Sequence, residues 1–145
     1  MVARIGLVVG IAVIGLAAYQ VGTRWQVSRV AQRERASRGQ NGAANGLLSQ
    51  LRPGVPGIIY FWSPDCAPCL TVQKPALAAL QEEMGDDGLQ VLAVNVYERP
   101  DLAEVWGVLS LPTTFVVDGH GEPRGINNGV AREDKLRRQI ADLTS

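Results

Sequence analysis

Apolar and polar residues fall into blocks that differ sharply between the beginning of the chain and its remainder. Residues 5–23 contain no charged side chain and consist mostly of Ile, Val, Leu, Ala and Gly. As a helix this stretch would span about 28 Å at roughly 1.5 Å per residue, close to the bilayer hydrocarbon thickness of about 30 Å. Tyr19, Arg24 and Trp25 lie at its end, where headgroup-seeking side chains are favoured. The pattern predicts a transmembrane anchor over residues 1–23, with residues 5–23 in contact with the lipid bilayer.

A cleaved signal peptide is the alternative interpretation of the same stretch. Arg4 precedes the apolar run, and small residues stand near its end at Ala17 and Ala18. The run is long for a signal peptide, however, and it contains no convincing A-x-A cleavage site. These two observations favour an anchor that is retained.

The segment after the apolar run predicts a linker over residues 24–46. It is rich in arginine as far as Arg38, and then becomes small and polar from Gly39 to Gly46, which is typical of flexible connections. The formal net charge of the 145-residue chain is zero, yet residues 1–45 hold six arginines against one glutamate, a net charge of +5. The remainder therefore carries −5, so nothing indicates nucleic acid as a partner.

From Leu47 to Ser145 the pattern alternates between strands and helices, which predicts one α/β domain. The predicted strands are Ile58–Trp62, a buried Leu89–Val96, Thr113–Val117 and a weaker Pro123–Ile126. The predicted helices are Cys66–Met84, Asp101–Trp106 and Arg132–Leu143. In the first helix Leu70, Leu77 and Leu80 are expected to share one stripe, and Pro75 is expected to produce a kink. This order predicts a mixed central sheet with helices on both faces.

The only two cysteines of the chain, Cys66 and Cys69, stand three apart where the first strand passes into its helix. A thiol at a helix N-terminus faces unpaired N–H groups and the positive end of the helix dipole, which stabilise a thiolate. Thiolates attack disulfides, and Cys69 lies one turn further on the same side. Pro68 stiffens the turn between them and loses little by lacking an N–H there. The spacing therefore indicates thiol–disulfide chemistry.

Several segments together make the chain resemble the thioredoxin family over roughly residues 47–145. They are Phe61–Cys69, Val94-Asn95-Val96, Ser110-Leu111-Pro112-Thr113 and Gly129. The resemblance implies a thioredoxin fold and thiol–disulfide oxidoreductase activity on protein substrates that contain disulfides or dithiols. It implies Cys66 as the nucleophile, Cys69 as the resolving thiol and a redox-active Cys66–Cys69 disulfide.

The resemblance extends to supporting residues and to partners. It implies that Pro112, after Leu111, is a cis-proline beside the active site, where the backbone pairs with the substrate chain. Trp62 is implied to pack beneath the dithiol. No flavin or nicotinamide motif is present, so no cofactor is predicted, and a separate electron donor or acceptor is expected to restore the starting redox state.

Three positions depart from the family pattern. Tyr60 stands where thioredoxins typically bury an Asp that assists proton transfer from the resolving cysteine, and Ala93 stands at the usual Lys partner. Because both members of this charge pair are absent, neither leaves an unpaired charge in the core. The usual proton acceptor, however, is missing. Asp65 precedes the nucleophile where a Trp is usual, and its carboxylate is expected to raise the pKa of Cys66.

Two other classes of function remain open from the sequence. One is a membrane-tethered binding or chaperone module with incidental redox activity, which the missing buried acid favours slightly. The other is a zinc site shared between two chains through the cysteine pairs; within one chain only His120 could join them. His120 lies between glycines in a predicted turn, where a solvated histidine is expected, so no metal site is predicted.

The side of the membrane on which the domain lies is also left open. Five arginines between residues 24 and 38 favour a cytoplasmic domain under the positive-inside rule. A lone N-terminal anchor on a redox domain more often places that domain outside the cytoplasm. The two indications conflict.

Overall fold

The computed structural model describes residues 46–144, so the predicted anchor and nearly all of the predicted linker lie outside the described residues. Within residues 46–144 no helix combines the length and apolar character needed to cross a membrane. The strands are β1 (Gly57–Trp62), β2 (Gln90–Asn95), β3 (Thr113–Val117) and β4 (Pro123–Asn128). A 3₁₀ turn at Leu48–Gln50 and a π-helical turn at Cys69–Gln73 accompany the helices α1 (Lys74–Met84), α2 (Pro100–Trp106) and α3 (Glu133–Thr144).

The four strands form one sheet in the order β2-β1-β3-β4. Strands β1 and β2 are parallel, whereas β1 with β3 and β3 with β4 are antiparallel. The prediction of a mixed sheet is therefore confirmed. The parallel pair is joined through the helical segment that follows β1, and this connection places the two cysteines at the C-terminal end of a central strand.

Side chains of β1 alternate between the two faces of the sheet, and each face has its own apolar cluster. Ile59 and Phe61 pack with Trp106 of α2 on one face. On this face the rings of Trp106 and Phe115 meet edge to face with centroids 4.8 Å apart, a favourable geometry for aromatic pairs. Ile58 and Tyr60 pack on the other face, whose remaining members include Cys69, Leu77, Leu80, Leu136 and Ile140. Helices therefore cover both faces, as predicted.

The prediction that β2 is a buried strand is wrong. Of its six residues only Val94 is buried, and Ala93 is exposed. The apolar run led to the expectation of burial, but within the described residues β2 lies at an edge of the sheet and pairs only with β1. A strand in that position keeps one side open, so its apolar side chains are only partly covered.

The first helix also differs from its prediction. A π-helical turn at Cys69–Gln73 precedes α1, and Pro75 is the second residue of α1. Proline has no N–H and its ring crowds the carbonyl of the preceding turn, and the widened turn directly before α1 accommodates Pro75. A π-helical turn takes more residues per turn than an α-helix. The seven-residue spacing therefore does not bring Leu70 onto the buried stripe of Leu77 and Leu80, and Leu70 is 38% exposed.

Candidate active site

The two cysteines form a disulfide between the end of β1 and the start of the helical segment. Their sulfurs are 2.08 Å apart and their Cα atoms 5.2 Å apart. Cys69 is fully buried against the core, whereas Cys66 is half-buried. A reacting partner can therefore reach the sulfur of Cys66 but not that of Cys69.

The backbone N–H of Cys69 at the helix start is directed at the Cys66 sulfur. The N–H of Cys69 donates to Cys66 Sγ at 3.3 Å, and the carbonyl of Cys66 accepts the N–H of Leu70 at 3.2 Å. Donation from a helix N-terminus favours the charged form, so this geometry stabilises a thiolate at Cys66.

Tyr60 lies in β1 under the second cysteine. Its hydroxyl donates to the carbonyl oxygen of Cys69 at 2.8 Å, and the ring is only 3% exposed. Burial raises the pKa of Tyr60 to about 12. Tyr60 pairs in register with Ala93 of β2, and both line a cavity of about 300 Å³ beside α1. Tyr60 and Ala93, which both depart from the family pattern, are therefore neighbours. The hydroxyl of the buried Tyr60 donates its hydrogen bond to an uncharged acceptor.

The loop before β3 contains a cis peptide bond between Leu111 and Pro112. The carbonyl of Pro112 accepts the N–H of Gly129 at 2.8 Å, and the Thr113 hydroxyl donates to the Ser110 carbonyl at 2.7 Å. The first bond holds the loop against the segment that leads to α3, and the second lies within the loop itself. Leu111 packs against the apolar clusters on both faces of the sheet.

The structure brings most of the sequence-predicted site residues around one cluster. Trp62, Cys66 and Leu111 are partly buried against the cluster that contains Cys69. Pro68 lies in the turn between the cysteines and is exposed. Pro112 is buried next to Leu111.

An exposed hydrogen bond next to Cys66 could not be foreseen from the sequence. The Tyr97 hydroxyl donates to the Asp65 carboxylate at 2.8 Å, and this bond with the nearby negative charge raises the pKa of Tyr97. Tyr97 follows β2, and no local pattern connects it with a residue 32 positions earlier. The bond joins the side chain of Asp65, the residue before Cys66, to the loop that follows β2.

A second missed contact is buried. Gln73 has no exposed surface, and its side-chain amide exchanges two hydrogen bonds with the backbone of Ala131, at 2.8 Å and 3.0 Å. The contact ties the helical turn of Cys69 to the segment just before α3. A polar side chain on an otherwise apolar stripe was the available signal, because such a residue is buried only with a partner.

The residues considered for metal binding are not gathered at one place. His120 is exposed in the β3–β4 turn, where its backbone N–H donates to the carboxylate of Asp118 at 2.9 Å. Over the described range 46–144 no group of three or more His, Cys, Asp or Glu side chains is arranged to hold a metal. The two cysteines are bonded to each other, and a disulfide offers no thiolate to zinc.

A mixed sheet with helices on both faces, a cysteine pair at a strand–helix junction and a cis-proline loop against the same core define a protein of the thioredoxin fold. Chloroplastic thioredoxin z superposes with a TM-score of 0.57 at 25% identity, over 63% of this chain and 80% of that one. Thioredoxin-2 of the malaria parasite gives a TM-score of 0.56 at 20% identity, over 61% of this chain and 82% of that one.

Sequence comparison assigns the family. The family model described as Thioredoxin matches residues 49–142, so the chain belongs to the thioredoxin family. The thiol:disulfide interchange protein HelX of Rhodobacter capsulatus is 32% identical over 118 residues, covering 66% of this chain and 64% of HelX. Thioredoxin of Bacillus subtilis is 40% identical over 57 residues, covering 39% of this chain and 53% of that protein. The matches thus span about half to two thirds of the relatives' own lengths.

Proposed function

We propose that this protein is a thiol–disulfide oxidoreductase that exchanges its Cys66–Cys69 pair with disulfides or dithiols of protein substrates. One observation carries the proposal: a half-buried Cys66 is bonded to a fully buried Cys69 at the start of a helix. This asymmetry suits a reaction in which one sulfur meets the substrate and the other acts only internally. Membership of the thioredoxin family supports the same chemistry.

In the reducing direction the reaction has two steps. The Cys66 thiolate attacks one sulfur of the substrate disulfide, which forms a Cys66–substrate disulfide and releases the other substrate sulfur as a thiolate. Cys69 then loses its proton and attacks Cys66 Sγ, which forms the Cys66–Cys69 disulfide and releases the second substrate sulfur. Two electrons pass from the dithiol to the substrate, and a separate dithiol donor of the cell restores the reduced pair.

The cis-proline loop is proposed to position the substrate chain. Leu111 packs against the cluster that also contacts Cys66 and Trp62, so the loop and the dithiol share one support. An extended substrate segment could add to the backbone at Leu111 as a short strand, with its sulfur directed at Cys66. Trp62 supports the site from the side of β1.

Replacement of Cys66 by serine tests the catalytic assignment. The purified protein, a chemical dithiol and a protein with an exposed disulfide are mixed, and substrate reduction is followed with time. We expect the acceleration over the dithiol alone to be lost in Cys66→Ser, because serine cannot form a disulfide. Equal rates for the two proteins would overturn the assignment, provided that both show the same cooperative thermal unfolding in the reduced state.

We further propose that residues 5–23 anchor the protein in a membrane as a single pass. The support is the uncharged apolar run and the arginine cluster that follows it. The full chain is expected in the membrane fraction after an alkaline wash, whereas a chain lacking residues 1–23 is expected in the supernatant. Labelling of Cys66 with a membrane-impermeant maleimide in intact cells then reports the side of the membrane. Recovery of the full chain in the supernatant would contradict the anchor.

A binding or chaperone module is the second candidate function. The observation that favours it is Tyr60, which occupies the place of the buried acid and keeps its proton at neutral pH. This candidate predicts that Cys66→Ser still prevents aggregation of a partner protein as well as the unchanged chain does. Loss of that effect with loss of the cysteine would reject it.

A further inference from the structure

The Cys69 carbonyl joins the resolving cysteine to the central strand of the sheet. It accepts two hydrogen bonds, one from the Tyr60 hydroxyl at 2.8 Å and one from the N–H of Lys74 across the π-helical turn. Tyr60 lies in β1 between two strands, so its ring is held by the rigid centre of the fold. The Tyr60 hydroxyl therefore ties the backbone of the turn that holds Cys69 to the central strand.

The surroundings of Cys69 contain few groups that could take its proton. Its cluster gathers apolar side chains and Tyr60 from β1, β3, α1 and α3. Among the buried residues of the described range the one carboxylate is Asp118, which follows β3 at the end of the sheet remote from the cysteines. Gln73 is also buried, but its side chain is uncharged, and both ends of its amide are hydrogen-bonded to the backbone of Ala131. Lys74 is exposed and lines the cavity next to Tyr60, and a protonated ammonium accepts no proton.

We infer that Tyr60 is a positioning residue for the resolving step, acting as an uncharged hydrogen-bond donor to the Cys69 backbone and not as a proton acceptor. The inference rests on the proposed oxidoreductase function and specifies how its second step proceeds in this chain. Burial raises the pKa of Tyr60 to about 12, which agrees with a hydroxyl that keeps its proton throughout the physiological range. A hydroxyl already bonded to a carbonyl is also oriented away from accepting a proton.

The second step then has a simple proton balance. The Cys69 thiol gives its proton to solvent, and the resulting thiolate attacks Cys66 Sγ. The Cys66–substrate bond breaks as the Cys66–Cys69 bond forms, and the substrate sulfur leaves as a thiolate that takes its proton from solvent. The rate of this step, plotted against pH, should follow the thiolate fraction of Cys69. The plot should show no second inflection from another protein group.

A symmetrical aromatic disulfide that releases a coloured thiolate separates the two steps. The reduced full-length protein is mixed with an excess of 5,5′-dithiobis(2-nitrobenzoate). Attack by Cys66 releases the first coloured thiolate, and resolution by Cys69 releases the second. Cys69→Ser, which stops after the first release, calibrates the two phases.

Tyr60→Phe keeps the ring and removes only the hydroxyl. We expect the second phase to slow by about two- to tenfold, the range that corresponds to one net hydrogen bond, while the first phase keeps its rate. The slowing should be the same factor at every pH between about 6 and 9, below and around the ordinary cysteine pKa of about 8.5. Thr71→Val is the matched control, because Thr71 also donates a hydroxyl to a helix carbonyl, that of Ala67, but on the exposed side.

Three results would overturn the inference. One is an unchanged second phase in Tyr60→Phe, and another is an equal slowing of the second phase in Thr71→Val. The third is a factor that varies with pH, since that would mean that Tyr60 takes part in the proton transfer. If the unchanged protein gives no second release at all, the proposed function itself fails, and this result is distinct from the other three.

Discussion

Asp65 places a carboxylate directly before Cys66 in the chain, and the Tyr97 hydroxyl donates a hydrogen bond to it. The Cys69 N–H at the helix start favours a thiolate at Cys66, whereas the Asp65 carboxylate disfavours one. The pKa of Cys66, and with it its reactivity, therefore depends on two opposing electrostatic effects, one from the helix start and one from Asp65. Because Tyr97 and Asp65 are both exposed, solvent and salt weaken the contribution of the carboxylate.

Asp65→Asn is predicted to lower the pKa of Cys66. Alkylation of Cys66 below that pKa should become faster by about two- to fivefold at low salt, since an exposed charge interaction is worth about 0.2–1 kcal/mol. The measurement is the rate of iodoacetamide labelling of the reduced protein as a function of pH. Asp86→Asn, which removes an exposed carboxylate just beyond α1, is the matched control and should leave the rate unchanged. Slower alkylation in Asp65→Asn would contradict the prediction.

Individual residues were predictable where their chemistry is local. The cysteine pair and the unusual Tyr60, Ala93 and Asp65 are visible in the sequence, because a family pattern gives the expected residue at each position. Tyr97 and Gln73 were not assigned partners, because these lie 32 and 58 residues away in the chain. Only the folded sheet brings those segments together.

At the scale of elements, the segment around Gln73 joins the first helical segment to the chain before α3. Gln73 satisfies both the N–H and the carbonyl of Ala131, and all of these groups are buried. This contact lies one turn beyond Cys69. It therefore ties the turn that holds Cys69 to the segment before α3, whereas the Tyr60 hydroxyl ties it to β1.

Gln73→Met is predicted to destabilise the protein by about 2–6 kcal/mol. The apolar side chain keeps the volume but leaves a buried N–H and a buried carbonyl without a partner, at a cost of about 1–3 kcal/mol each. Urea unfolding of the oxidised protein measures the difference. Gln81→Met, half-buried in the same helix, is the control, and a loss of similar size there would show that the Ala131 contact is not the cause.

The pattern of apolar residues predicted where the strands and helices begin and end better than it predicted their burial and their neighbours in the fold. The ends of β1, β3, α2 and α3 agree with the sequence to within about one residue, since each is marked by a proline, a glycine or a change of period. The edge position of β2 was missed because an apolar run carries no information on which strands will flank it. The π-helical turn was missed because Pro75 disturbs a helix in more than one way.

At the scale of the whole molecule, the chain divides by charge. The first 45 residues carry +5 and the remaining residues carry −5, although the total is zero. The mixed sheet with two covered faces followed from the order of strands and helices. The acidic excess of the domain and the basic excess of the preceding segment fit the proposal of a domain held next to a membrane surface, where anionic lipids attract arginine.

The central claim is that Cys66 meets the substrate and Cys69 releases it, and trapping with Cys69→Ser tests it most directly. The reduced variant is mixed with a protein that contains an exposed disulfide, quenched with acid and analysed by intact-mass and peptide mass spectrometry. We predict a covalent complex of one variant chain with one substrate chain, joined through Cys66 and released by a dithiol. The absence of that complex, at a concentration at which the unchanged protein reduces the substrate, would contradict the claim.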